Sequence, residues 1–281
     1  MAAKKAANKV SQRTAPKTKT MTMTKTAAEV AAKVPAKVPA KAAPSASARK
    51  SRERFLLEIT SLPTAAGRED RVIAAIEAWV AARKDRLVLS RDRFGNLTIA
   101  RHDFLEACAR GTKSGMKPVM ITAHLDHPAF VATAVRAKGT SVELDLEFRG
   151  GVNDPYFKGA ALEVFDRDTR KSFDAKIVSL DAKVDPATKP FKTVVARLAK
   201  PVDAKGAAKH IAAGSIARWK FAKAEVKKGL AHTHACDDLA ALAAALVAYD
   251  GISRDAACAH VALLFTRSEE IGFIGAIGAA R

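Results

Sequence analysis

The sequence has few of the residues that hold small secreted or metal-stapled proteins together. Cysteine occurs three times, at Cys108, Cys236 and Cys258. That is too few and too scattered for a disulfide framework or a zinc knuckle, and such sparse use fits a reducing, cytoplasmic compartment. Long apolar runs are missing too. The longest, LAALAAALVAY at 239–249, falls well short of the roughly 20 residues that cross a bilayer, which argues against a membrane partner. Acids are scarce: 29 Asp and Glu stand against 48 Lys and Arg, a net charge of +19 over 281 residues. The scarcity is local. Residues 1–50 contain twelve Lys or Arg and a single acid, Glu29, so +11 of the +19 lies there and +8 is left for residues 51–281. The excess therefore belongs mostly to a tail and does not describe one large nucleic-acid-binding face.

The same 50 residues contain no aromatic residue, no Leu and no Ile, and repeat in the manner of KVPAKVPAKAAP. Such a segment cannot bury enough apolar surface to offset the entropy of ordering, so it is predicted to be a disordered tail. It lacks the apolar stretch of a secretory signal, and its cations are mainly Lys where organellar transit peptides favour Arg. Its charge suits either weak, salt-dependent contact with nucleic acid or another polyanion, or simple solubilisation.

From residue 51 the chain is built to fold, since 48% of all residues are hydrophobic. Phe55, Leu56, Ile59 and Leu62 have helical spacing, and Pro63 ends that helix. Val72, Ile76, Trp79 and Val80 mark one apolar face of a second helix. LVLSRD and LTIAR read as a strand pair turning at Phe94-Gly95-Asn96. KPVMITAH, 117–124, reads as a strand buried on both faces. Between 131 and 225 come short β-patterned stretches (SVELDLEF, AALEVF, DAKIVSL, TVVARL), as in a β-rich unit inserted into an α/β domain. An Ala/Leu-rich helix near 238–248 and a second buried strand, HVALLFT, follow.

Three polar clusters sit at the boundaries of these elements: His124-Leu125-Asp126-His127 after one strand, Cys236-Asp237-Asp238 before the helix, and Ser268-Glu269-Glu270 after the other strand. Sites in open α/β sheets form at the carboxyl ends of strands. His, Asp and Glu meeting there suit Zn²⁺, Mn²⁺ or Co²⁺. Adjacent Glu269 and Glu270 could divide metal binding and general-base work. In His-x-Asp the carboxylate can fix the imidazole tautomer. His232 and His234, alternating toward Cys236, read as ordinary site-rim or surface residues leading into Asp237, with substitute ligands the alternative if that stretch is a strand.

The order AHLD, CDDLA and FTRSEEIGFIGA, with SLPTAAGRED and DRFGNLTIAR upstream, resembles the co-catalytic dinuclear metallo-aminopeptidases of the glutamyl/deblocking, tetrahedral-aminopeptidase type. The resemblance covers residues 51–281. It implies a three-layer α/β/α sandwich with a mixed sheet: a catalytic domain in two parts, 51–130 and 226–281, interrupted by a β-rich dimerisation-like domain at 131–225. It also implies two divalent metal ions (Zn, or Co or Mn), a peptide substrate and a homo-oligomer formed through the insert. By position, His124 would bind the first metal with Asp126 orienting it, Asp237 would bridge both, Glu270 would bind the second, and Glu269 would be the general base.

The sequence departs from the family pattern in places. His127 and Pro128 follow His-x-Asp where the family has an acid, and Leu239 follows Asp238 where Arg is common. Two further ligands, an Asp and a His, are expected downstream of the Glu pair, and the sequence runs only to Arg281. The sequence is then expected to be a fragment of a longer enzyme, and two other readings stay open. One is a truncated, inactive peptidase-like scaffold with a polyanion-binding tail. The other is a related hydrolase that cleaves a non-peptide amide.

Overall fold

The computed structural model describes residues 44–114, 117–138, 141–169, 171–199, 206 and 209–281. The expected disordered tail, up to residue 43, lies outside the described residues. Helix α1 (Ala46–Thr60) begins ahead of the expected start at Ser51, because the Ser45 side chain accepts the Ala48 N–H at 3.2 Å and caps it. Helix α2 (Asp70–Ala81) buries Val72, Ile76, Trp79 and Val80, the face that the spacing predicts. Strands β1 (Leu87–Arg91) and β2 (Leu97–Arg101) form the expected antiparallel hairpin. Its turn is set by Asp92, whose carboxylate accepts the N–H groups of Phe94 and Asn96 at 2.8 and 2.9 Å, while Gly95 takes the left-handed conformation at φ +80°.

Helix α3 (Phe104–Ser114) was not expected. Strand β3 (Val119–His124) leads into a run of β4 (Ala129–Lys138), β5 (Ser141–Arg149), β6 (Ala161–Phe165), β7 (Ser172–Asp181), β8 (Lys192–Leu198) and β9 (Ile216–Trp219). A short hairpin, β10 (Glu225–Lys227) and β11 (Leu230–His232), comes next. Helix α4 (Leu239–Ile252), β12 (Val261–Thr266) and α5 (Ile274–Ala279) complete the described chain.

Four strands make a mixed sheet in the order β1-β2-β12-β3. β12 runs antiparallel to β2 and parallel to β3, with Thr266 opposite His124. Alternate residues of these strands, among them Leu97, Ile99, Leu263 and Phe265, share one core with α1, α2 and α4. β3 is not buried on both faces as its composition suggested. Among the described residues it pairs only with β12, and Val119 and Met120 are 46% and 39% exposed. An apolar run marks burial on both faces only when another strand and a second layer cover it.

The six strands β4 to β9 close into an antiparallel barrel in the order β4-β5-β8-β7-β6-β9. The alternation that predicted a β-rich unit fills its interior with one face of each strand. Phe130, Phe148, Phe157 and Trp219 are in mutual contact there, with ring centroids 4.8–5.8 Å apart and tilted or edge-on geometry. The barrel is tied to the helices by guanidinium groups. Arg218 of β9 grips Glu163 of β6 at 2.9 and 3.1 Å and donates to the Ser61 carbonyl at 2.9 Å, just past α1. Arg149 donates to the Ala66 carbonyl at 2.8 Å. Among the described residues, no helix is long and apolar enough to cross a membrane.

Candidate metal centre

The ends of parallel β3 and β12 bring two of the three polar clusters together. β3 ends on His124, and the Leu125 N–H then bonds the Thr266 carbonyl at 2.9 Å, so the chain turns beside Arg267 and the Glu pair. The third cluster arrives from the hairpin β10–β11. Thr233 meets Thr60 through their hydroxyls at 2.6 Å, and Ala235 N–H bonds the Thr60 carbonyl at 3.2 Å. The C-terminal end of α1 thus steers the segment into Asp237. Asp238 then ties the start of α4 to β3, its carboxylate accepting the His124 N–H at 3.0 Å.

His124 Nε2 lies 3.1 Å from Asp237 Oδ1 and 3.8 Å from Glu269 Oε2. Ligand atoms of His124, Asp237 and Glu270 all fall within 4.8 Å of one another. These are the three residues that the motif assigns to metal. Asp126 is wholly buried, and its two oxygens accept the N–H groups of Glu269 and Glu270, each at 3.0 Å. His124 Nδ1 stands 3.6 Å from Asp126 Oδ1 and, among the described residues, makes no hydrogen bond. Asp126 therefore touches the Glu pair more closely than it touches the imidazole it was expected to orient.

The electrostatics reflect acids crowded around one ring. Burial alone would lower the pKa of His124, but Asp126, Asp238 and Glu269 raise it to about 9. Burial, then repulsion from Glu269 and Asp126, pushes Glu270 up to about 7. For Asp126 burial works upward, yet His124 and the two amides hold its carboxyl below the ordinary value. A cluster that draws protons to this degree has excess negative charge at one point. One imidazole nitrogen and two carboxylates there make a donor set that fits a divalent cation.

His232 and His234 do not join this group. β11 ends at His232, which is exposed, so the alternation that would have aligned the two histidines stops there. His234 turns toward the ring of Phe221, 6.0 Å away. His127 is adjacent to the centre by another route, its Nδ1 bonding the Asp237 main-chain carbonyl. Burial lowers its pKa.

Two buried residues near the centre lie in the SLPTAAGRED and DRFGNLTIAR stretches but were not singled out there as site residues. Glu69, at the start of α2, is 0% exposed and binds Arg267 Nε and Nη2 at 2.9 and 2.6 Å, as well as the Ser268 N–H at 3.1 Å. An acid at this place ordinarily does no more than favour the start of the helix. Asn96, read as a turn residue, sends its side chain to the main chain of Arg267 and Gly275.

The sequence model of the M42 glutamyl aminopeptidase family matches residues 105–281, more than half of the chain. Among curated proteins, none matches. Among solved structures, the chain is similar to the TET1 peptidase of Pyrococcus horikoshii, which can assemble into a tetrahedron or a large octahedral shell. The identity is 20% and the TM-score 0.57, covering 82% of this chain and 65% of that one. It is also similar to an aminopeptidase from the archaeon Desulfurococcus kamchatkensis (20%, TM-score 0.56, 83% and 60%). A third is a TET aminopeptidase from a marine-sediment thaumarchaeote (16%, TM-score 0.57, 83% and 62%). At these identities the likeness establishes the fold. The chain spans less than two thirds of the length of each of these three.

Proposed function

The chain belongs to the M42 glutamyl aminopeptidase family, and from that premise we propose that it is a metal-dependent aminopeptidase that removes N-terminal residues from peptides. The observation that carries the reading is the meeting of His124, Asp237 and Glu270 within 4.8 Å, with Glu269 beside them. His124, Asp237 and Glu270 would hold the metal, with Asp237 the carboxylate shared if two cations bind. Bound there, zinc, cobalt or manganese supplies Lewis-acid polarisation of the scissile carbonyl and of water. Glu269 takes a proton from the attacking water as its oxygen bonds to the carbonyl carbon, then gives that proton to the departing amine as the C–N bond breaks. Asp126 keeps both Glu residues in place through their amides.

The barrel is read as an inserted domain, and the sheet with its helices as part of a three-layer sandwich. The P. horikoshii relative forms closed shells, which supports a homo-oligomer here. The sparse use of cysteine, three in 281 residues, supports a cytoplasmic location. The +11 charge of residues 1–50 supports a second, minor property: salt-dependent retention on polyanions.

The test is to strip the full chain with a chelator, reload it with Zn²⁺, Co²⁺ or Mn²⁺, and assay aminoacyl p-nitroanilides. Hydrolysis that returns only with metal is expected. No hydrolysis with any of the three metals would overturn the reading.

A further inference from the structure

The segment after β12 carries the Glu pair, and it is not a helix or a strand. Its four consecutive amides are nevertheless all taken up by side chains. The Arg267 N–H donates to Asn96 Oδ1 at 3.1 Å, and the Ser268 N–H to Glu69 Oε1 at 3.1 Å. The Glu269 and Glu270 N–H groups donate to the two oxygens of Asp126 at 3.0 Å. The three acceptors come from three separate parts of the chain: the β1–β2 turn, the start of α2 and the end of β3. All are buried, at 1%, 0% and 0% exposure.

Each acceptor is itself fixed. Asn96 Nδ2 donates to Asp92 at 2.7 Å and to the Gly275 carbonyl at 2.9 Å. Glu69 also accepts the Gly67 N–H at 2.9 Å and pairs with the Arg267 guanidinium. Arg267 passes so close to Gly95 that a Cβ there would meet it at 2.8 Å, and a Cβ on Gly275 would lie 2.4 Å from Asn96 Oδ1. Ser268 sits at φ +55°, a conformation a non-glycine residue holds only when its surroundings impose it.

We propose that Glu69 and Asn96 are positioning residues which, together with Asp126, cradle the main chain of residues 267–270 and so fix where the Glu269 and Glu270 carboxylates point. The proposal rests on the reading of Glu269 as base and Glu270 as metal ligand. The physical reason is preorganisation: a base and a ligand on a loop act only if that loop does not wander. Backbone amides with no ladder partner provide the handles, and buried carboxylate acceptors form strong bonds to them.

The test compares the full-length wild type with Glu69→Ala, Glu69→Gln and Asn96→Ala. Tyr249→Phe serves as a control that loses a buried hydrogen bond, to the Val261 carbonyl, away from the centre. Three quantities are read: amide hydrogen exchange at 267–270, Co²⁺ affinity by competition with a chelating indicator, and kcat and KM at saturating Co²⁺. Outer-shell losses of this kind typically reduce metal affinity or activity about 10- to 100-fold. Glu69→Ala is expected to speed exchange at Ser268–Glu270, weaken Co²⁺ and lower kcat with KM little changed. Glu69→Gln, which keeps an acceptor but loses the Arg267 pair, is expected to do the same to a smaller degree. Asn96→Ala is expected to free the Arg267 amide first. Tyr249→Phe should lower thermal stability and leave all three readouts alone.

Wild-type exchange and Co²⁺ affinity in both Glu69 variants would overturn the cradle. If Glu69→Ala does not fold, Glu69→Gln decides by the same criteria. A wild type that hydrolyses no aminoacyl amide would overturn the aminopeptidase reading, while exchange and Co²⁺ binding would still judge the cradle.

Discussion

At the ends of β3 and β12 buried carboxylates and an amide gather among the apolar residues, whereas the interior of the barrel is rings and aliphatics. Around the candidate metal centre, Glu69, Asn96 and Asp126 make contacts with residues far along the chain: Glu69 and Arg267 are 198 positions apart, and Asn96 and Arg267 are 171. The barrel relies on antiparallel pairing and on the Phe130–Phe148–Phe157–Trp219 contact. Its buried acids are held across neighbouring strands or within a loop. Glu143 is bound by Arg197 of the adjacent strand, and Asp166 by His210 and the nearby amides of residues 168 and 169. Apolar burial stabilises without direction, while buried charge stabilises only where every partner is present. The two regions should therefore fail in different ways when altered.

The largest expected effect is at the centre. Glu269→Gln removes the proposed base and should lower kcat by roughly 10²–10⁴-fold, with Co²⁺ still bound and thermal stability unchanged. Steady-state kinetics beside a metal titration checks this, and substantial residual turnover would mean the base lies elsewhere. Phe148→Ala tests the other side. Phe148 is 1% exposed and touches three other rings, so its loss should destabilise by about 3–5 kcal/mol in urea unfolding. The metal affinity of the molecules that remain folded should not change. A parallel fall in Co²⁺ affinity would show that the two regions are energetically one.

A smaller effect is expected from Asp166→Asn. Burial favours the neutral form of Asp166, but the His210 ring and the amides of Asp168 and Thr169 hold its carboxyl well below the usual range. A depressed pKa contributes stability that is present above about pH 4 and fades as the pH falls toward the folded-state value. The variant should thus be less stable than wild type at pH 7 and converge with it on acidification, as urea midpoints at several pH values would reveal. Least of all, removing residues 1–43, which leaves the Ser45 cap of α1 in place, should leave kcat/KM unchanged. It should abolish retention on immobilised DNA at low salt, and persistent retention would move that property into the folded part.

What could be read in advance follows the same division. The alternating strands gave away the β-rich unit, and helical spacing gave away α2, because both report a local period. That His124, Asp237, Glu269 and Glu270 would come together could be read in advance because His, Asp and Glu stand at the boundaries of apolar elements. The roles of Glu69 and Asn96 could not, since an acid at a helix start and an Asn in a turn are satisfied locally in most chains, and only the approach of Arg267 gives them another task. β3 was misread because an apolar run does not say which of its sides is covered. The His232–His234 alternation carries no metal ligation because the strand ends at His232.

The open side of β3 has a consequence for handling the protein in solution. Among the described residues no strand lies on the far side of β3, and such an edge, beside exposed Val119 and Met120, can offer main-chain groups to a passing chain. At low ionic strength a net charge of +19 keeps molecules apart. In about 0.1 M salt that repulsion is screened beyond roughly 10 Å, and edges can meet. The protein should be more soluble in dilute buffer than in saline, and light scattering that rises with added salt would be its colloidal signature.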